Sequence, residues 1–208
     1  MNKFSYNEDQ ASQIGGGQYV TKSGGYDFKI VRAEFGKSQS NSAESLELDF
    51  ETREGLKLNY ISINFTKVNG EPNEFGHKMI QAIMGVTGVL NLTQGNNGSC
   101  QELMNKGLKG VVQRVDYTKN SGPNAGQEGY KFDFKLPANI QTGQTVKERL
   151  ASSEAKSFSH YAGTVEDKDE RVVRHETQQS THQGGGFQQQ APAPQQDPSI
   201  DFDDDIPF

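Results

Sequence analysis

Between residues 24 and 65, apolar side chains recur at every second position, and this alternation constrains the fold more than any other feature of the chain. In GGYDFKIVRAEF (24–35) the even positions Tyr26, Phe28 and Ile30 are apolar. In SLELDFETREG (45–55), Leu46, Leu48 and Phe50 alternate with Glu47, Asp49 and Glu51. Side chains two apart share one face of a strand, so each segment reads as a strand with one face in a core and one in water. LKLNYISINFTKVNG (56–70) starts on even positions (Leu56, Leu58, Tyr60) and changes to odd ones (Ile61, Ile63, Phe65). One extra residue in a strand produces such a switch, so a β-bulge is expected near Tyr60–Ile61. REG and VNGEPN supply turn residues between the segments.

The period then changes. NEFGHKMIQAIMGV (73–86) places Phe75, Met79, Ile80, Ile83 and Met84 at helical spacing, with Asn73 as N-cap and Gly85 as the expected stop. A short second helix is expected at SCQELMNKG (99–107). Two strands follow, GVVQRVDYTK (110–119) and GYKFDFKLP (129–137), joined by NSGPNAGQEG, which is too long and glycine-rich for a tight hairpin and is expected to project. Three strands, a helix and two strands is the element order of the OB-fold, a mainly β, five-stranded Greek-key barrel with a helix between strands 3 and 4. A different mixed α+β domain is the alternative.

Periodicity fades after residue 140. TVKERLASSEAKSFSHYAG (145–163) offers only a marginal helix around Val146, Leu150 and Phe158, and ETQQSTHQGGGFQQQAPAPQQDPS (176–199) is a Gln/Gly/Pro low-complexity stretch. The mean hydropathy of -0.80 agrees with a chain that is partly outside any core. The expected organisation is a flexible leader (1–17), a barrel domain (18–140), a weakly structured and then disordered linker (141–200) and an acidic tip (201–208). Charge follows the same division. Residues 1–150 carry 17 Lys and Arg against 16 Asp and Glu, whereas residues 151–208 carry 4 against 11. The global acidity therefore belongs to the tail and does not exclude a nucleic-acid partner for the body.

Catalytic patterns are missing. His77, His160, His175 and His182 share no metal-ligand spacing, and one cysteine, Cys100, supplies neither a zinc cluster nor a disulfide framework. No phosphate loop or nucleophile elbow occurs, so the expectation is a protein without enzyme activity, metal or cofactor. The opening MNKFSYNEDQ has no apolar signal region and no run is long enough to cross a membrane, which points to the cytoplasm. Sequence-independent binding of single strands needs cations along a groove and aromatic faces for bases to stack on. Candidates are Lys29, Arg32 and Phe35 on the first strand, and Lys57, Tyr60, Phe65 and Lys67 on the third. Arg114, Tyr117, Lys119, Tyr130, Lys131 and Lys135 flank the projecting loop. For each of these the alternative is a core aromatic or a solvated lysine. Tyr26, Phe28, Phe50, Phe132 and Phe134 match the aliphatic parity and are expected in the core.

The last eight residues, DFDDDIPF, combine Asp201, Asp203, Asp204 and Asp205 with the apolar Phe202, Ile206, Pro207 and Phe208. Proline limits the conformations lost on docking, the terminal carboxylate suits an Arg or Lys at a pocket rim, and the aspartates suit a basic surface. All eight residues resemble the C-terminal tip of bacterial single-stranded-DNA-binding proteins, and the Gln/Gly/Pro linker is similar to theirs. The body lacks the tryptophans of the bacterial housekeeping protein. Its GEPNEFGHKMIQAIMGVTGVLNL (70–92), followed by Gly-Val-Val and Gly-Tyr-Lys-Phe strands, more closely resembles phage-encoded single-stranded-DNA-binding proteins. The resemblance implies a barrel that coats single-stranded DNA during replication, recombination and repair. It also implies a tip that recruits the enzymes of those processes, with Pro207 and Phe208 in the partner's pocket and Asp203 to Asp205 on its rim. The family's tetramers imply homo-oligomers, a stoichiometry left open by the different body. The alternatives are a phage-type decoy that engages host enzymes without binding DNA, and a strand-annealing factor.

Overall fold

The computed structural model describes residues 18–171, which fall within one compact unit, Met1–Val172; a second unit, Val173–Phe208, lies outside the described residues. The alternating segments form antiparallel strands β1 (Gly24–Lys37), β2 (Glu44–Thr52) and β3 (Lys57–Asn64). A helix α1 (Glu74–Thr87) and a 3-10 turn (Gln101–Leu103) lead to β4 (Gly107–Thr118) and β5 (Glu128–Asn139). The sheet order is β3-β2-β1-β4-β5, all antiparallel, and its two ends, β3 and β5, come within 8 Å Cα separation. The fold is thus a strand-rich mixed architecture with an antiparallel sheet and a helix between β3 and β4.

The core sits on the faces that alternation assigns to it. Phe28, Ile30, Leu46, Leu48, Phe50, Leu58, Ile61 and Ile63 are buried, and the Phe28, Phe50 and Phe134 rings follow one another at centroid distances of 5.0 and 5.5 Å. Tyr26 and Phe132 pack against this cluster from its margin. Three register shifts adjust the strands: between Ile30 and Arg32 on β1, between Leu48 and Phe50 on β2 opposite β3, and between Val111 and Val112 on β4. The second is the bulge expected near Tyr60. The other two left no parity switch in the sequence long enough to read.

Helix α1 begins where Asn73 Oδ1 accepts from the Gly76 N–H, and it buries Gly76, Met79, Ile80, Ile83 and Val86. It does not stop at Gly85. It stops at Gly88, whose φ of 71° lets its N–H reach the Met84 carbonyl. Gly85 serves packing instead: a β-carbon there would lie 2.6 Å from Val146 Cγ2. Phe75, grouped with the packing face by spacing, is 65% exposed because it falls in the first turn, before the helix meets the sheet. Gly76 takes the place beside β3, where a β-carbon would come within 1.9 Å of the Asn64 carbonyl oxygen. The expected second helix reduces to the 3-10 turn, which buries only Leu103.

Ordered elements continue past residue 140. Helix α2 (Val146–Leu150), helix α3 (Ser157–Thr164) and a short strand β6 (Lys168–Glu170) follow β5. The marginal helix is thus two helices, and the buried Glu148 carboxylate joins them. It accepts from the Thr145 N–H and hydroxyl with one oxygen and from the Lys156 and Ser157 N–H groups with the other, at 2.7 to 2.9 Å. Helix α3 lies over β1, where Phe158 and Ala162 fill the space that a side chain at Gly25 would need. Strand β6 pairs in parallel with Val115–Tyr117 of β4, beyond the point where β1 begins opposite Val112. Among the described residues, no helix is long and apolar enough to cross a membrane.

Candidate nucleic-acid interface

The outward face of β1, β2 and β3 is organised in rows by strand register. In the first row Lys29 stands opposite Glu51, Glu51 opposite Lys57, and Lys57 opposite Tyr19 of the segment that precedes β1. Backbone hydrogen bonds from Val20 N–H to the Lys57 carbonyl and from Lys57 N–H to the Gln18 carbonyl hold that segment beside β3. Glu51 forms a 3.5 Å ion pair with Lys29, and among the described residues the Lys57 side chain has no ion pair or hydrogen bond. In the next row Arg32 faces Asp49; one row further, Glu34, Glu47 and Ser62 carry no cation of their own. The face therefore grades from cationic and aromatic to acidic.

The bulge decides what stands in the middle row. Asn59 and Tyr60 together oppose Asp49, and Tyr60 adopts φ 63° with its N–H donating to Asp49 Oδ1 at 2.7 Å. The ring is left 82% exposed. Arg32 supports the same carboxylate at 3.5 Å while binding Glu34 at 2.7 Å and Glu47 at 3.1 Å. These carboxylates, Glu34 foremost, hold its guanidinium even more firmly protonated than usual. Half-covered and fixed by three acids, Arg32 is not free to take a phosphate, and its role here is to position Asp49.

A second cluster lies on the β4–β5 hairpin, whose connecting loop is exposed throughout 120–128 as its length implied. Arg114 faces Phe132 and Asp116 faces Tyr130 across the pair. The Arg114 guanidinium lies 4.4 Å from the Tyr130 ring centroid and bonds Asp116 and the Thr21 carbonyl, and Phe132 meets Tyr130 edge-on. Tyr130 keeps half its surface exposed. Tyr117 and Lys119 converge on Gly129, and Lys119 has no ionic partner among the described residues. Arg114, Asp116, Glu128, Gly129, Tyr130 and Arg171 line a cleft of about 200 Å³ beside the loop. Lys131 and Lys135 belong to the opposite face of β5, where both pair with Asp133.

Several sequence candidates are placed elsewhere. Phe35 and Phe65 are half-buried against the core, edge-on to each other at 6.1 Å, with Phe65 also meeting His77. Their rings are therefore packing groups. Lys67 pairs with Glu71 in the turn after β3. Such exposed pairs contribute only about 0–1 kcal/mol, so Lys29, Lys67 and Lys131 can exchange a carboxylate for a phosphate at little cost. Periodicity alone missed Tyr19, which follows the glycine-rich leader outside any alternating run, and it missed Arg53 and Lys106. Arg53 borders a larger cleft of about 630 Å³, shared with Lys29, Glu51, Asn105 and Ile140. With Lys57 and Lys119, they are cations whose side chains have neither an ion pair nor a hydrogen bond among the described residues.

Among the described residues, no group of three or more His, Cys, Asp or Glu is arranged to hold a metal. Burial, assisted by Glu102, pushes the Cys100 thiol up to about 11, which keeps it protonated near neutrality. The tip candidates Asp201 to Phe208 lie outside the described residues. The chain matches no model of a known protein family and no curated protein.

Proposed function

We propose that this protein binds and protects single-stranded DNA and recruits DNA-processing enzymes through residues 201–208. The observation that carries the DNA half is the outward face of β3, shared by an exposed Tyr60 and by Lys57, whose side chain has no ion pair or hydrogen bond among the described residues. A flat ring and a free cation match what a single strand offers, a base face and a phosphate every nucleotide. We read the architecture as a five-stranded OB-type barrel. The strand order, the helix after β3, the bulges and the approach of β3 to β5 support this. The cluster of Arg114 and Tyr130 is a second candidate contact surface, with the β4–β5 loop projecting beside it. The recruiting half rests on the resemblance of DFDDDIPF to the bacterial tip, with Pro207 and Phe208 as the docked end and the aspartates as its electrostatic guide.

One observation favours a second reading. Residues 18–171 hold 19 Lys and Arg and 19 Asp and Glu, so the body has no net attraction for a polyanion. An interaction protein that occupies enzymes through its tip would not need one. Titration of full-length protein with poly(dT) at low and raised salt separates the two. Saturable binding at low salt that weakens as salt rises supports the DNA reading, and no binding at low salt overturns it in favour of the decoy. Acceleration of complementary-strand pairing above a bare-DNA control would reassign the protein as an annealing factor.

A further inference from the structure

The segment that precedes β1 is part of the exposed face, although the glycine-rich run before it suggests a loose leader. Tyr19 forms a parallel bridge with Lys57 and is 51% exposed, while its neighbour Val20 is buried in the core at 2%. That arrangement locks Tyr19 in place: Val20 anchors one side of the backbone, and two hydrogen bonds to Lys57 fix the register. Bridged residues project from the same side of a sheet, so Tyr19 and Lys57 stand side by side. Tyr60 lies three residues further along β3, roughly 10 Å along the strand and one strand spacing of about 4.8 Å from the line of Tyr19. Among the described residues no ring or cation stacks on either tyrosine, in contrast to Tyr130 beneath Arg114.

We infer that Tyr19 and Tyr60 are two base-stacking platforms on one edge of the sheet. Lys57 meets the phosphate between them, and Asp49 is a positioning residue that holds Tyr60 outward. The ligand is the unpaired base of a single strand, read by its face and not by its hydrogen-bonding edge, so the site discriminates strandedness and not sequence. Two platforms set this far apart engage alternate bases of an extended strand, not neighbours in a stack. The backbone supports this use of Tyr60. A non-glycine residue at φ 63° is costly, and here the cost accompanies an exposed aromatic with no packing role.

This inference rests on the single-strand reading, and the test separates the two. Fluorescence anisotropy of labelled oligo(dT) is measured against full-length protein and the variants Tyr19→Ala, Tyr60→Ala, Tyr19→Phe, Tyr60→Phe and Lys57→Ala. Each alanine at a tyrosine is expected to weaken binding about tenfold, with the phenylalanines close to wild type. Lys57→Ala is expected to flatten the dependence of log K on log salt by about 0.7. Tyr60→Gly removes the ring while relaxing the backbone, so a loss of binding there cannot be attributed to misfolding. If wild type binds and both alanine variants bind equally well, the platforms are wrong and the function stands. If wild type itself does not bind at low salt, the function falls and the platforms with it.

Discussion

Tyr60 occupies a left-handed conformation in which its β-carbon crowds the following carbonyl oxygen. Two groups hold it there: Asp49, which accepts its N–H, and Arg32, which fixes Asp49. Glycine at this position would relieve about 1–2 kcal/mol of steric cost and add about 0.5–1 kcal/mol of chain entropy to lose on folding. The first effect is the larger. Tyr60→Gly is therefore expected to leave stability to urea unchanged or to raise it by up to about 1 kcal/mol. A clear drop in the unfolding midpoint would show that the ring has a packing role. The parity switch at Tyr60–Ile61 made this bulge legible in the sequence. The Asp49 contact did not show there, because it joins residues on different strands and leaves no local pattern.

At the scale of elements, the joint between α2 and α3 depends on one carboxylate. Burial pushes the Glu148 carboxyl up, but the N–H donors of Ser157, Thr145 and Lys156 outweigh it and hold the group at about 2, well below its ordinary 4.5. The folded form thus binds this proton less readily than the unfolded form. The stabilisation is complete above about pH 4.5 and disappears as pH falls through about 2. Glu148→Gln is expected to cost about 2 kcal/mol near neutrality, the scale of hydrogen bonds to a charged group. Thermal unfolding should show the gap between wild type and variant closing below pH 4.5. A gap independent of pH would mean that the charge does not hold the joint.

The same region shows where sequence reading loses force. Strands β1 to β3 and helix α1 bury half of each surface against one core and so carry clean periods. Elements α2, α3 and β6 bury little and are held by capping, by Glu148 and by three residues of strand pairing, none of which repeats along the chain. The helix ends at Gly88 and not at the expected Gly85 for a related reason. Gly85 and Gly88 look alike in sequence, and only the contact with Val146 assigns one to packing and the other to the left-handed cap. Among the site candidates, Lys57, Tyr60 and Tyr130 emerge exposed. Phe35 and Phe65 turn inward because β1 changes parity after Ile30 and β3 leaves the sheet after Asn64.

For the whole molecule, the central claim is that a body of even charge binds a polyanion through local patches and not through its net field. Four cations without partners among the described residues, Arg53, Lys57, Lys106 and Lys119, set the scale of phosphate contact. Each phosphate neutralised on a single strand contributes about 0.7 to the slope of log K against log salt, so four predict a slope of about −3. The acidic residues 201–208 would compete for the same cations, and deleting them should tighten binding at low salt while abolishing capture of partner enzymes. The most direct measurement is the affinity of the full-length protein for poly(dT) across a range of salt concentrations. The account predicts binding at low salt with a slope near −3, steeper once residues 201–208 are removed. No binding at the lowest salt, or binding indifferent to salt, would contradict it.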